Sequence, residues 1–290
     1  MLMQKVLHLK DELAKKKPKL EGNFLVTEKI EGWYVKIHYK QELGVWLPPL
    51  SSSHRVIPSL RWTIELFHRL PQPREDCYII AEAYIEETPF HILNGIFNRS
   101  IGNHSCLNVV FKAHDIIFPN KPELTAATRY TLLSSILTEG AVKNIQLLPI
   151  IYQGYYDKDI WQREFEIIAN RGGEGIVAKR DTGIYSPAKR NSDLLKLKLE
   201  CTVDLLAVRL ERTVTEKGNL SLTLVSQRAN GIEVHTVINK HEDQEKFIAD
   251  STTIIGKVVE IKAMEEFEDG QLRQAVFKCI RHDKTITEID

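Results

Sequence analysis

The chain has 290 residues, with 39 Lys and Arg against 39 Asp and Glu, and is 43% hydrophobic and 27% charged, the make-up of an ordinary soluble protein of two domains. No run reaches the roughly 18 apolar residues of a membrane span, and the first residues lack the apolar stretch of a signal peptide. Cys77, Cys106, Cys201 and Cys279 form no CxxC pair, which argues against a structural zinc or a disulfide framework and for a reducing cytoplasm.

The chain opens on a basic stretch, with Lys5, Lys10, Lys15, Lys16, Lys17 and Lys19 against Asp11 and Glu12. It reads as a solvated helix end or as an arm for a phosphate backbone. Short strands are expected at residues 24–30, 32–39, 77–86, 107–118 and 174–180, each β-branched or aromatic and bounded by turn residues. Helices are expected between them. Residues 59–70 place Leu60, Ile64, Phe67 and Leu70 on one face, and residues 125–139 place Tyr130, Leu133 and Leu137 in helical register. A third helix begins near Asp159 and ends at Gly172-Gly173. Residues 1–200 thus form an α+β domain. About five strands and one helix, 241–250, fill residues 201–290, the inventory of an OB-fold barrel or another small barrel.

Several residues carry chemistry. Lys29 in Lys29-Ile30-Glu31-Gly32 is a nucleophile if burial or nearby cations lower its pKa, and otherwise a surface lysine before a turn that Gly32 makes tight. Glu82 and His114-Asp115 interrupt apolar strands, where a polar group needs a partner. In Glu174-Gly175-Ile176-Val177-Ala178-Lys179 a carboxylate opens a strand and a lysine ends it, as a divalent metal or a ribose would require, or as a simple turn-strand would also allow. Lys196 and Lys198 share one face of a strand whose other face is Leu195, Leu197 and Leu199. Two ammonium groups on one face call for an anion such as phosphate, unless the strand is a solvated edge.

In this order the segments resemble the covalent nucleotidyltransferases: ATP-dependent DNA ligases, RNA ligases and mRNA capping enzymes. The family pattern is K-x-D-G, a strand glutamate, aromatic-Asp, E-G-x-V-x-K and K-x-K. The matching residues are Lys29/Glu31/Gly32, Glu82, His114-Asp115, Glu174 to Lys179, and Lys196/Lys198. Gly270-Gln271-Leu272-Arg273-Gln274-Ala275-Val276-Phe277, followed by Arg281-His282-Asp283-Lys284, is similar to the closing motif of small ATP-dependent DNA ligases of viral and phage size.

The resemblance implies a nucleotidyltransferase (ATP-grasp-like) domain at 1–200 and an OB-fold domain at 201–290. It implies ATP and Mg²⁺ or Mn²⁺ as cofactors, and a monomer acting on nicked double-stranded DNA in the cytoplasm. Lys29 would form a lysyl-AMP phosphoramidate. Glu28, Glu31, Arg55, Glu82, His114 and Lys179 would bind the nucleotide, Glu82 on a ribose hydroxyl and His114 in the adenine-stacking position. Glu174 and Glu31 would hold metal. Lys179, Lys196 and Lys198 would meet phosphate, and Arg281, Asp283 and Lys284 would close over ATP during the first step. The chain departs from the pattern at Glu31 (usually Asp), Tyr34 (usually Arg), His114 (usually Phe or Trp) and Ala275 (usually Pro). Tyr34 resembles some RNA ligases, the leading alternative. A capping enzyme would use GTP, and a non-enzymatic OB module would form no covalent nucleotide. The NAD-dependent ligases fit less well, since only 28 residues precede Lys29 and the cysteines do not cluster.

Overall fold

The structure, a computed structural model, describes residues 3–102, 104–140, 142–214, 220–267 and 269–290. It divides into two units, 1–198 and 199–290.

In the first unit a short strand β1 (Lys5–His8) runs into α1 (Leu9–Leu13). Strands β2 (Asn23–Glu28), β3 (Trp33–Lys40) and β4 (Val45–Trp46) follow, then α2 (Ile64–Phe67), β5 (Cys77–Tyr84), α3 (Phe90–Phe97), β6 (Val110–Ile117) and α4 (Ala126–Gly140). The unit ends with β7 (Ile145–Leu147), β8 (Ile150–Tyr155), α5 (Lys158–Asn170), β9 (Gly175–Arg180) and β10 (Arg190–Lys198). Among the described residues these strands make two five-stranded sheets, ordered β1-β10-β9-β2-β8 and β4-β3-β5-β6-β7. The chain crosses from one sheet to the other between β2 and β3, through Lys29–Gly32.

The local signals explain most of this. β5 reads CYIIAEAY, and Cys77, Ile79, Ala81 and Ala83 are buried in one core with Val35, Ile37, Phe111 and Ile116. The other sheet packs Phe24, Val26, Ile176, Ala178 and Leu195 against Trp161 and Ile168 of α5. Asp157 caps α5 by accepting from the amides of Asp159 and Ile160 at 2.9 and 3.0 Å. Gly172, at φ +82°, lets the chain leave that helix in the left-handed region.

Three expectations change. The helix expected at 59–70 is a 3₁₀ segment, Pro58–Thr63, before α2, although Leu60, Phe67 and Leu70 are buried as the spacing requires. In α4 the buried face is Ala126, Arg129, Leu133 and Leu137, so Arg129 takes the place given to Tyr130. The basic N-terminal stretch is a solvated helix end, with Lys10, Lys15, Lys16, Lys17 and Lys19 exposed at and beyond the end of α1, though it is anchored at one point. Glu12, fully buried, accepts from Lys15, the Lys19 amide and Ser192, and ties the stretch to β10. Finally, β10 is flanked by β1 and β9, so it is no edge strand, and Leu199 lies beyond it, exposed.

The second unit carries β11 (Cys201–Val214), β12 (Leu220–Gln227), β13 (Glu233–Val237), α6 (His241–Ala249), β14 (Val258–Ala263), β15 (Glu265–Glu266), β16 (Leu272–Arg273) and β17 (Val276–Ile280). Strands β11-β12-β13-β17-β14 close into a barrel, with α6 between the third and fourth strands in chain order. This is the OB fold. Its core is Leu205, Leu222, Leu224, Val259, Ile261 and Phe277 with Phe247 of α6. No helix among the described residues is long and apolar enough to cross a membrane.

Candidate active site

The two sheets of the first unit face each other across a cavity. Glu28, Lys29, Val177, Lys179 and Leu194 line it from one side, and Tyr34, Ile80, Glu82, His114 and Asp115 from the other.

Strand register brings the lysines together. Val177 pairs with Thr27 on one side and Lys196 on the other, Lys179 with Leu194, and Gly175 with Lys198. Directly opposite residues share a face of the sheet, as do residues two apart. One face therefore carries Val177, Lys179, Lys196 and Lys198 in adjacent rows. The Lys29 amide donates to the Gly175 carbonyl at 2.7 Å, which extends the pairing by one residue past β2. The Lys29 ammonium then donates to Glu174 Oε2 at 2.6 Å. Burial lowers the pKa of Lys196, and the charges of Lys198 and Lys29 lower it further.

Two glycines of the motifs are required by space. A Cβ on Gly175, at φ +144°, would stand 2.2 Å from the Leu197 carbonyl oxygen. A Cβ on Gly32 would stand 2.9 Å from Glu82 Cβ and 3.0 Å from the Ala83 carbonyl oxygen. Gly32 therefore admits close approach of β5. The chain bends at Gly32 as expected, with a φ outside the left-handed region, so the close approach of β5 is what excludes a side chain there.

Glu82 sits on β5 opposite Tyr34 and Lys112. Burial pushes its carboxyl up to about 8; Lys29 opposes the shift and Glu174 adds to it. At neutral pH it is mostly protonated, so it donates as well as accepts.

His114 and Asp115 are neighbours in sequence, yet both line the cavity. A regular strand sends consecutive side chains to opposite faces. Here Ile80 pairs with Asp115 and Ala81 with Ala113, so His114 is the extra residue of a β-bulge. Burial drives its imidazole pKa down to about 3, and Lys179 adds to the effect, so the ring is neutral.

Asp115 anchors a cluster that the motif reading left out. Arg129 donates to it twice, from Nε at 2.8 Å and Nη2 at 3.2 Å, and Lys179 donates at 3.1 Å. These cations hold the Asp115 carboxyl well below the usual range against the opposing effect of burial. Lys179 also donates to the His114 carbonyl at 2.6 Å. Its ammonium is therefore engaged at the base of the bulge. The signal for Arg129 was a charge on the apolar stripe of α4. Tyr185, whose hydroxyl accepts from the Gln4 amide at 3.0 Å, also lines the cavity and had no sequence signal.

The remaining residues are placed as follows. Glu28 lines the cavity and pairs with Arg171 at 2.5 Å. Glu31 is half-buried in the crossing segment and is not among the lining residues. Arg55 lies on an exposed loop after Ser51 and is likewise not among them. Arg281, Asp283 and Lys284 belong to the second unit, where Arg281 and Lys284 pair with Asp204, and Asp283 pairs with Arg281.

The residues fit a nucleotide triphosphate. Lys29 and Lys179 line the cavity with a neutral carboxyl and a neutral imidazole opposite, while Glu174, Lys196 and Lys198 lie outside its lining, the two lysines on the same sheet face as Lys179. No group of three or more metal-ligating side chains occurs among the described residues. A magnesium ion shared with phosphates needs only one or two carboxylates.

Residues 7–198 match the family described as ATP dependent DNA ligase domain. The chain is 24% identical over 269 residues to DNA ligase 4 of Saccharomyces cerevisiae, covering 83% of this chain and 28% of that protein. It is 26% identical over 204 residues to a DNA ligase of Methanosphaera stadtmanae, covering 61% of this chain and 36% of that one. The chain thus spans about a third of the length of these curated relatives. A solved structure from work on Lig E DNA ligases superposes with a TM-score of 0.73 at 15% identity, covering 97% of this chain and 99% of that one.

Proposed function

This chain belongs to the ATP-dependent DNA ligase family, and from that premise we propose that it seals nicks in duplex DNA through a lysyl-AMP on Lys29 and a 5′-adenylated DNA. The observation that carries the reading is the Lys29 ammonium, 2.6 Å from Glu174, on a lysine that lines one cavity with Glu82 and His114.

In the first step the Lys29 amine attacks the α-phosphorus of ATP, a P–N bond forms, and pyrophosphate leaves. The amine must first lose a proton, and Glu174 is the carboxylate already accepting its hydrogen bond. Lys196 and Lys198 offset charge on the phosphates. Such positioning and charge compensation is most of what a protein contributes to phosphoryl transfer. Glu82 holds a ribose hydroxyl, and His114 stacks on adenine with Lys179 fixing the bulge beneath it. Arg281, Asp283 and Lys284 meet the β and γ phosphates. In the second step the 5′-phosphate of the nick displaces Lys29 from AMP. In the third the 3′-hydroxyl displaces AMP and closes the phosphodiester. Glu174, and Glu31 two residues after Lys29, would hold Mg²⁺ or Mn²⁺, which would neutralise phosphate charge when bound. The protein would act as a monomer in the cytoplasm.

Incubation with ATP or GTP labelled at the α-phosphate tests the nucleotide, and label from GTP alone would make the chain a capping-type enzyme. Comparing all-DNA nicks with nicks that carry 2′-hydroxyls tests the strand. Sealing only of the latter contradicts the DNA reading.

A further inference from the structure

The basic residues at the end of the barrel share one carboxylate. Arg281 Nη1 lies 3.2 and 3.0 Å from the two Asp204 oxygens, and Lys284 Nζ lies 2.6 Å from Asp204 Oδ2. Arg281 also donates to Asp283 from Nε and Nη2 at 2.9 and 2.7 Å. The two carboxylates differ in one respect: the Asp283 side chain is 67% exposed and that of Asp204 only 10%. The exposed one meets Arg281 in solvent. The buried one is fixed.

Its fixation runs through the backbone too. The Asp204 carbonyl accepts from the Asp290 amide at 2.9 Å, and the Asp204 amide donates to Asp290 Oδ2 at 2.5 Å. The position is a poor one for a carboxylate if folding were its only purpose. Asp204 stands between buried Val203 and Leu205 on β11, directly opposite Glu260 of β14. Like charges in that relation are destabilising, and a buried ion pair is often matched or bettered by an apolar residue. The carboxylate is best accounted for by the two cations it orients.

We propose that Asp204 is a positioning residue for the first chemical step: it holds Arg281 and Lys284 as a pre-oriented pair of cations for the departing pyrophosphate. The inference rests on the ligase reading above. Asp204 touches no substrate and acts only through these two residues.

The test uses the full chain as Asp204→Asn, Asp204→Glu and, as a control on the motif itself, Lys284→Ala. Single-turnover rates of adenylation and of sealing a pre-adenylated nick are measured beside thermal melting. Asp204→Asn should slow adenylation on the order of 10²-fold, the loss that a misplacement of about 1 Å causes. Sealing of the pre-adenylated nick should stay within about twofold of wild type, because pyrophosphate leaves only in the first step. Asp204→Glu keeps the charge but moves it by one methylene. It should slow adenylation by roughly threefold or more at an unchanged melting temperature, and it decides the matter if the Asn variant does not fold. Equal losses in both steps, or wild-type adenylation in Asp204→Glu, overturn the proposal. If Lys284→Ala slows adenylation and Asp204→Asn does not, the positioning role fails while the ligase reading stands. If Lys284→Ala leaves adenylation unchanged, the motif assignment fails and the proposal with it.

Discussion

Lys29 and Glu82 approach the same cavity with opposite protonation demands. Lys29 makes its ammonium hydrogen bond to Glu174 at 2.6 Å, while burial keeps a proton on Glu82 up to about pH 8. Lys29→Ala should abolish the covalent AMP adduct but leave sealing of a pre-adenylated nick, which a denaturing gel with labelled ATP and a separate sealing assay will read. An adduct that persists moves the nucleophile elsewhere. Glu82 has a consequence for stability. An unfolded glutamate releases its proton near pH 4.3, so folding takes one up between that value and about 8, and stability falls as pH rises through that window. Glu82→Gln removes the titration. Melting curves of the variant should lose less stability than wild type from roughly pH 5 to 8, and parallel curves would mean that Glu82 is ionised in the fold. His114 is neutral, with its pKa driven down to about 3, so a flat uncharged ring should replace it. His114→Phe should adenylate within about tenfold of wild type and His114→Ala more slowly, since aromatic stacking contributes roughly 0.5–1.5 kcal/mol. The reverse order of rates removes the stacking role.

At the scale of elements, the motifs work through backbone geometry that only part of the sequence announces. The alternation of β10 was legible, because Leu195 is buried while Lys196 and Lys198 share the other face. Its interior place in the sheet was not, because the parallel partner β1 is four residues long and lies near the other end of the unit's sequence. The bulge at His114 was hidden for a similar reason: it is defined by pairing with Ile80 and Ala81, which no local pattern encodes. The short helix α3 and strands β7 and β8 were missed, being brief or half-exposed. Arg129 shows the opposite case. A charge in line with Leu133 and Leu137 was visible, but its partner Asp115 lies on another element. The glycines were readable as glycines, and their reason was not, since the neighbours that exclude a Cβ come from β5 and β10. Gly175→Ala sets a methyl 2.2 Å from the Leu197 carbonyl in a left-handed backbone. It should cost about 1–3 kcal/mol from overpacking and at least as much again from strain. Thermal melting checks this, and a melting temperature within error of wild type would show that β9 and β10 part easily.

For the whole molecule, the chain divides at Lys198, two residues before the boundary expected from composition. Each unit has its own core, built around Phe111 and Phe24 in the first and around Phe247 and Phe277 in the second. A 1–198 fragment should therefore fold alone, keep Lys29 beside Glu174, and adenylate weakly for want of Arg281 and Lys284. Circular dichroism and a cooperative melt decide the first point, and a fragment without tertiary structure would join the two units into one. The central claim is that one lysine carries AMP from ATP to a DNA end. It is tested most directly by loading the full chain with ATP labelled at the α-phosphate, in Mg²⁺, then chasing with a nicked all-DNA duplex and unlabelled ATP. The account predicts label first on Lys29, then on the 5′-phosphate at the nick, and finally released as AMP as the strand is sealed. Label that stays on the protein while the nick is sealed, or that appears on a residue other than Lys29, would contradict it.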